Sequence, residues 1–269
     1  MHFNTLLDCV DHRQKISSLT IPQNWSQGRT AFGGILTAMI VKAIKSEVED
    51  TRLLRFITTS FVNPLKPGDD FSIEVYKLQE GRTVSHMEGR AIQGNKTIAI
   101  VLTGFGMPRE SSIKINKPEA PVVPLPENGI LFPHIPNVTP LCLQNFDLSL
   151  VIGDAPFTGS KNSHIGGWMR FKDGEFDEFT DTHLIALIDA WPVGVLPMLK
   201  APAPMSTLSW NVQLIHPYEV AKDEWLLYNG AVHYTQAGYA NAEAFVWNEA
   251  GHLIAISNQV VTIYESPSK

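Results

Sequence analysis

The chain has 269 residues, of which 44% are hydrophobic and 18% are charged, and its formal net charge is -6 at pH 7. This composition is typical of a globular protein with a sizeable core, and the length suits two domains of about 130 residues or one larger domain. The negative charge and the lack of basic runs provide no positive field for nucleic acid, so no nucleic-acid partner is expected.

Cysteine usage and apolar runs bear on the cellular compartment. The two cysteines, Cys9 and Cys142, provide neither a disulfide framework nor a CxxC pair. The first residues lack the basic start and apolar run of a signal peptide. The longest apolar stretch, residues 184–199, contains a charge and two prolines and is shorter than the roughly 20 residues that span a bilayer. We therefore expect a cytoplasmic protein with no membrane partner.

The first predicted helix begins at Gly33 and Gly34 and has the sequence GGILTAMIVKAIKSEV. Its apolar positions extend nearly all round the helix, with Lys42 the only charge within residues 35–44, as expected of a helix enclosed by a sheet. Four predicted strands follow, with the sequences FITTSFVNPL, DFSIEVYKLQ, TVSHMEGRAIQG and KTIAIVLTGFG. The first half is thus one helix followed by an antiparallel set of strands.

Prolines cluster between residues 107 and 140, where they remove backbone donors and disfavour helix and central strand. This segment predicts a linker or a connection that lies along the surface. It divides the chain into an N-terminal domain over residues 1–112, a linker over 113–140 and a C-terminal domain over 141–269.

The second half repeats the order of the first. Its predicted helix is THLIALIDAW, and its predicted strands are TLSWNVQLIHP, EWLLYNGAVHYTQ, YANAEAFVWNEAG and HLIAISNQVVTIY. A helix followed by an antiparallel meander buries its apolar surface most simply if the sheet wraps around it. An open sheet of this kind leaves an edge that needs a partner. The predicted fold class is therefore α+β, a double hotdog whose two helix-wrapped sheets form one continuous sheet.

Asp189 is the single charged residue within residues 184–199, inside the second predicted helix. Burial of a carboxylate without partners is costly and usually raises its pKa. One interpretation is that Asp189 ends the helix near Pro192. The other is that its carboxylate orients or deprotonates a water molecule, and the sequence pattern leaves both open.

Thr207 and Gln259 lie on two later predicted strands. Strict alternation places Thr207 on one face with Ser209, and Trp210 on the opposite face. Gln259 is a large amide on a mainly small and apolar face beside Ser257, and a buried amide needs hydrogen-bond partners. Taken singly, each residue favours a structural role, as a strand former or as a hydrogen bond between strands.

Gly33 and Gly34 start the first helix, where unpaired backbone N–H groups and the helix dipole favour negative charge. Such an N–H could donate to an oxyanion, or the two glycines could simply allow a close approach of helix and sheet. The sequence contains no HExxH, GxSxG or nucleotide-binding motif. If the chain is an enzyme, direct attack by water is favoured.

Several segments together resemble the acyl-CoA thioesterase II family of double-hotdog enzymes. They are FGGILTAMIVKA and LKPGDDFSIEVYKLQEGRTVSHMEGRAIQGNK in the first half, and LIALIDAW, STLSWNVQLIHP, EWLLY and GHLIAISNQVV in the second. The resemblance implies an acyl-CoA substrate, no cofactor or metal, and a water held by Asp189, Thr207 and Gln259. It also implies that Gly33 and Gly34 form an oxyanion and substrate-binding position. The strand FITTSFV lacks the histidine that members often have near the thioester.

The sequence leaves two other functions open. It also leaves open whether the chain forms a homo-oligomer. A hotdog dehydratase or hydratase would need a catalytic histidine beside a carboxylate, and His183 is the nearest histidine to Asp189 in the predicted helices. A non-catalytic protein that binds acyl thioesters is also compatible with the fold. In the thioesterase hypothesis neither half holds a complete site. We therefore expect the two helices to run antiparallel, with the substrate between the halves near Gly34 and Asp189.

Overall fold

Three α-helices and fourteen strands make up the computed structural model over the residues it describes, 1–10, 15–136, 138–172 and 176–264. The helices are α1 Phe3–Asp8, α2 Gly33–Lys45 and α3 Asp181–Ile188. The strands are β1 Lys15–Leu19, β2 Ser26–Gln27, β3 Thr30–Ala31, β4 Leu53–Phe61, β5 Phe71–Glu80, β6 Val84–Gln93, β7 Lys96–Gly106, β8 Ile130–Leu131, β9 Phe146–Gly153, β10 His164–Phe171, β11 Met205–Leu214, β12 Leu226–Gln236, β13 Tyr239–Trp247 and β14 Leu253–Ile263. Both predicted helices and all eight predicted strands are present. Helix α1 and six strands were not predicted, namely β1, β2, β3, β8, β9 and β10.

Twelve of the described strands form one antiparallel sheet in the order β1-β5-β6-β7-β4-β11-β14-β13-β12-β10-β9-β8. The two halves meet where β4 pairs with β11, with Ser60 opposite Ser209 and Thr58 opposite Asn211. The Asn211 side chain donates across this junction to Thr58 Oγ1 at 2.9 Å. Because the edge strand of each half is paired by the other, the predicted double hotdog with one continuous sheet is confirmed.

Helices α2 and α3 lie against each other and run antiparallel, as expected. Lys45 near the end of α2 forms a 2.7 Å ion pair with Asp181 at the start of α3. At the other end, the first turn of α2 contacts Asp189, the residue that follows α3. Nearly every residue of both helices is buried, because the strands cover their outward sides. The packing thus brings the end of one half's helix to the beginning of the other's.

The proline-rich connection packs on the second half of the sheet, on the face opposite the helices. Two buried or partly buried indoles donate to its carbonyl oxygens, Trp168 to Pro124 at 2.8 Å and Trp247 to Pro118 at 3.0 Å. The segment then adds β8 to the sheet beside β9. Its carbonyls therefore satisfy donors that would otherwise be unpaired beneath it.

Helix α1 lies over the start of α3. Phe3 packs against the ring of His183 with 4.8 Å between ring centroids, and His183 Nε2 is 2.8 Å from Asn4 Oδ1. The beginning of the chain is thus attached to the second half. A helix of six residues is too short to be stable alone, so this packing is what stabilises it.

Candidate active site

Asp189 is the C-cap residue of α3 and faces the N-terminus of α2. Burial of the carboxyl group raises its pKa from the ordinary 3.8 to about 7, and the backbone N–H of Gly34 partly opposes this rise. Because Asp189 is the C-cap residue, the interpretation that it ends the helix is correct. Its carboxyl nevertheless titrates near neutrality, which is the range that a general base requires.

Gly33 and Gly34 contact Asp189 because they have no side chains. A Cβ on Gly33 would lie 3.1 Å from Asp189 Oδ2 and 3.0 Å from Cζ of Phe61. A Cβ on Gly34 would lie 2.6 Å from Cζ of Phe32 and 3.0 Å from Asp189 Cβ. Phe32, the N-cap residue, provides no side-chain cap, and the backbone N–H of Gly34 interacts with the Asp189 carboxylate.

A β-bulge brings Thr207 to Gln259. Thr207 is opposite Val261 and Ser209 is opposite Val260, so Leu208 is the extra residue in β11. The prediction that Thr207 shares a face with Ser209 is therefore wrong, because the bulge reverses the alternation. Thr207 instead lies on the face of Trp210 and Gln259, and its hydroxyl is 3.5 Å from Gln259 Oε1.

A narrow pocket of about 10 Å³ lies beside Gln259, enough room for about one water molecule. The described residues that line it all belong to the second half. They are Trp191, Val193, Gly194, Tyr228, Gly230, Ala231, Ala242, Glu243, Ala244, Ser257 and Gln259. Trp191, two residues after Asp189, stacks on Tyr228 with 5.6 Å between ring centroids and 9° between ring planes. These two aromatic rings form one wall of the pocket.

The candidate residues thus form two contacting groups. Gly33 and Gly34 contact Asp189 across the boundary between the halves. Thr207 contacts Gln259 on neighbouring strands. Within the described part of the chain no direct hydrogen bond links Asp189 to Thr207 or Gln259, so joint action of the three requires a bridging molecule.

Tyr228 was not singled out in the sequence, and it lies between the two groups. Burial raises the pKa of its phenol and the negative charge of Asp189 raises it further, so the two side chains interact. Tyr228 also lines the pocket that contains Gln259. In the sequence it is one aromatic residue in EWLLY, where a strand residue is the ordinary interpretation.

The opposite ends of the two central helices meet in a polar cluster. Asp181 accepts hydrogen bonds from Lys45 at 2.7 Å and from Tyr218 at 2.5 Å, and His216 Nε2 lies 3.4 Å from its carboxylate. Burial alone would raise the pKa of Asp181, but His216, Lys45 and Tyr218 outweigh it and hold the pKa well below 3.8. This carboxylate is permanently charged at neutral pH and joins α3 to α2.

His183 has a structural role, with hydrogen bonds at both ring nitrogens. Its Nδ1 is 3.1 Å from the donating N–H of Thr180, and its Nε2 is 2.8 Å from Asn4 Oδ1. Burial, with a contribution from Lys42, lowers its pKa from 6.5 to about 4. His183 is thus a neutral, hydrogen-bonded residue at the far end of α3 from Asp189.

The described residues include neither a membrane-spanning helix nor a metal-binding cluster. No helix in the described ranges is long and apolar enough to cross a membrane. No group of three or more His, Cys, Asp or Glu side chains there is arranged to hold a metal ion.

Solved structures of several bacterial proteins share this fold. A protein of unknown function with a hot dog fold from Alicyclobacillus acidocaldarius superposes with a TM-score of 0.84 and 22% identity over 98% of this chain and 99% of its own. The tesB protein of Mycobacterium avium subs paratuberculosis superposes with a TM-score of 0.79 and 17% identity over 98% of this chain and 100% of its own. For acyl-CoA thioesterase II TesB2 from Mycobacterium marinum the TM-score is 0.77 and the identity 15%, over 99% of this chain and 100% of its own. The molecule is therefore a double-hotdog protein.

Family models give the more specific assignment. The model of the acyl-CoA thioesterase N-terminal domain matches residues 21–106, and that of the acyl-CoA thioesterase C-terminal domain matches residues 120–263. No curated protein matches the chain. The chain belongs to the acyl-CoA thioesterase family, and it is a thioesterase.

Proposed function

We propose that this enzyme hydrolyses acyl-CoA thioesters to a free acid and CoA, with a water molecule positioned by Asp189, Thr207 and Gln259. The observation that supports this most is the Asp189 carboxyl group, with a pKa of about 7, at the N-terminus of the other half's helix. A general base works best with a pKa close to the operating pH. Gly33 and Gly34 form the proposed oxyanion and substrate-binding position.

In the first step, ionised Asp189 takes a proton from the water as the water oxygen attacks the thioester carbonyl carbon. The π electrons of the carbonyl move to its oxygen, which becomes an oxyanion. Thr207 and Gln259 orient the attacking oxygen, since fixed orientation removes much of the entropic barrier. In the second step, the carbonyl re-forms, the C–S bond breaks, and the departing thiolate takes the proton from Asp189.

The Gly34 N–H has a changing role in this mechanism. In the free enzyme it interacts with the Asp189 carboxylate and lowers its pKa. Proton transfer to Asp189 removes that negative charge while another develops on the carbonyl oxygen. The N–H at the positive end of the α2 dipole can then donate a hydrogen bond to the oxyanion.

Release of free thiol from a panel of acyl-CoA chain lengths, followed with a chromogenic thiol reagent, tests the proposal. Asp189→Asn is expected to lower kcat by at least about a hundredfold, since an amide cannot accept the proton. Asp147→Asn, which changes a carboxylate on β9 that pairs with Arg170 at 3.1 Å, is the matched control. Wild-type kcat in a folded Asp189→Asn protein would remove Asp189 from the mechanism.

The same assay separates the two other functions. A dehydratase, a hydratase or a binding protein would release no thiol. His183, the histidine considered for a dehydratase, is a poor base, because both of its nitrogens are hydrogen-bonded and its pKa is low. The proposal includes a cytoplasmic location and the division into residues 1–112, 113–140 and 141–269.

A further inference from the structure

The Tyr228 hydroxyl is a donor that has no acceptor among the residues that the structure describes. In the part of the chain that the structure describes, it makes no hydrogen bond, and its oxygen is not among the fully buried unpaired atoms there. Tyr228 as a residue is only 7% exposed. A tyrosine buried to this degree usually has a partner for its hydroxyl, so an unpaired one that borders a pocket indicates a ligand.

The ring of Tyr228 is held firmly in this position. It stacks on Trp191 on one side. Gly230, two residues along the same strand, lies under the other end, since a Cβ there would be 2.9 Å from Tyr228 Oη and 2.8 Å from its Cε1. The hydroxyl is therefore fixed beside Gly230, in the wall of the pocket that Gln259 also lines.

The electrostatic surroundings keep the phenol protonated. Burial and the charge of Asp189 both raise its pKa above the ordinary value of 10. Tyr228 is therefore a neutral donor throughout the range in which Asp189 changes charge. A neutral donor near a carboxylate can stabilise a second developing negative charge without itself ionising.

The proposed mechanism needs such a donor at its start. The Gly34 N–H lowers the pKa of Asp189, so before the proton moves the carboxylate competes with a substrate carbonyl for this donor. We propose that the Tyr228 hydroxyl donates a hydrogen bond to the thioester carbonyl oxygen of the bound substrate and to the oxyanion that forms from it. This inference rests on the proposed function and adds a catalytic residue to it.

Tyr228→Phe keeps the stacked ring and removes only the donor. We expect kcat to fall by about 10–100-fold with little change in KM or in melting temperature, because the hydrogen bond strengthens as charge develops. Tyr218→Phe is the control for loss of a tyrosine hydroxyl, since Tyr218 donates to Asp181 at the other end of α3. It should lower the melting temperature and leave kcat unchanged. A Tyr228→Phe protein with wild-type kcat would overturn the inference.

A spectroscopic measurement tests the contact itself. In the Asp189→Asn background, the carbonyl stretch of a bound acyl-CoA carrying ¹³C at the thioester carbon should shift to lower wavenumber than in solution. Adding Tyr228→Phe should move the band back towards its solution position. Identical bands in the two proteins would show that the hydroxyl does not reach the carbonyl.

Different results would overturn the proposed function and the proposed role of Tyr228. If the wild type releases no thiol, the proposed function fails whatever Tyr228 does. If Asp189→Asn retains activity, the general-base role of Asp189 fails while the thioesterase function stands. If Asp189→Asn is inactive while Tyr228→Phe turns over like the wild type, the water mechanism stands and the role of Tyr228 is wrong.

Discussion

Asp181 and Asp189, at the two ends of α3, have pKa values shifted in opposite directions. Burial opposes ionisation of both. Asp181 overcomes it through His216, Lys45 and Tyr218, so its pKa falls well below 3.8. Among the described residues, the Gly34 N–H alone opposes the effect of burial on Asp189, and its pKa rises to about 7. The Asp181 carboxylate therefore joins the two halves as a permanent charge, while the Asp189 carboxyl can exchange a proton near neutral pH.

Replacing Asp189 with Asn should stabilise the protein, and more so at high pH. Because the folded-state pKa of about 7 exceeds the ordinary 3.8, the native state binds more protons than the unfolded state, and wild-type stability falls as pH rises from about 4 to 7. Asn does not titrate. Its advantage in the free energy of unfolding should be about 2–3 kcal/mol larger at pH 8 than at pH 5. Urea melts at both pH values measure this difference, and a constant advantage would contradict the raised pKa.

Asp181→Asn should act in the opposite direction. Its lowered pKa means that its contribution to stability is present above pH 3.8 and is lost only as pH falls towards the folded-state pKa. We expect a loss of about 2 kcal/mol, equal at pH 7 and pH 5, since charged hydrogen bonds to Lys45 and Tyr218 are weakened. Lys77→Met, which breaks an exposed pair with Glu80, is the control and should change little. A loss confined to one of the two pH values would contradict this assignment.

Much of the fold follows from periodicity in the sequence. The all-round apolar pattern of GGILTAMIVKAI marks a helix enclosed by a sheet, and the repeated order of helix and strands indicates two similar halves. Asp189 stands out because it is a lone charge in an apolar run. These features are local, so they can be recognised without knowing which segments come together.

The rest depends on contacts between distant segments. The bulge at Leu208 reverses the face of Thr207, and nothing in MSTLSWNVQLI marks it, because no glycine is needed there. Tyr228 becomes distinctive only in the folded chain, where Trp191 and Gly230 fix its ring and its hydroxyl has no partner among the described residues. Helix α1 escapes prediction since its stability comes from packing on His183.

The pH dependence of kcat/KM should follow the ionisation of Asp189. The free enzyme needs the carboxylate form, so kcat/KM should rise with pH and level off above an apparent pKa of about 7. Tyr228 does not titrate in this range, so no second ionisation from it is expected below pH 10. Thiol release measured from pH 5 to pH 9 tests this, with Asp189→Asn as the reference for residual, pH-independent hydrolysis. A flat wild-type profile would contradict a general-base role for Asp189.

Gly34→Ala should damage the site although alanine favours helix formation by up to about 1 kcal/mol. The new Cβ would lie 2.6 Å from the buried Phe32 ring and 3.0 Å from Asp189 Cβ, so one of them must move. We expect a net loss of about 1–2 kcal/mol in stability and at least a tenfold fall in kcat. Gly81→Ala is the matched control, because its nearest neighbour would be 3.4 Å away. Equal activities of the two variants would show that the site tolerates displacement of Asp189.

Thr207→Val and Ser209→Ala together test whether the bulge decides which hydroxyl reaches the site. Thr207 lies on the face of Gln259, 3.5 Å from its amide oxygen, whereas Ser209 lies on the opposite face of the sheet. Valine keeps the shape of threonine and has a methyl group in place of the hydroxyl. Thr207→Val should therefore lower kcat by about tenfold with little change in KM, since the hydroxyl positions water rather than the acyl chain. Ser209→Ala should leave kcat unchanged. Loss of activity in Ser209→Ala with full activity in Thr207→Val would mean that β11 keeps strict alternation and has no bulge at Leu208.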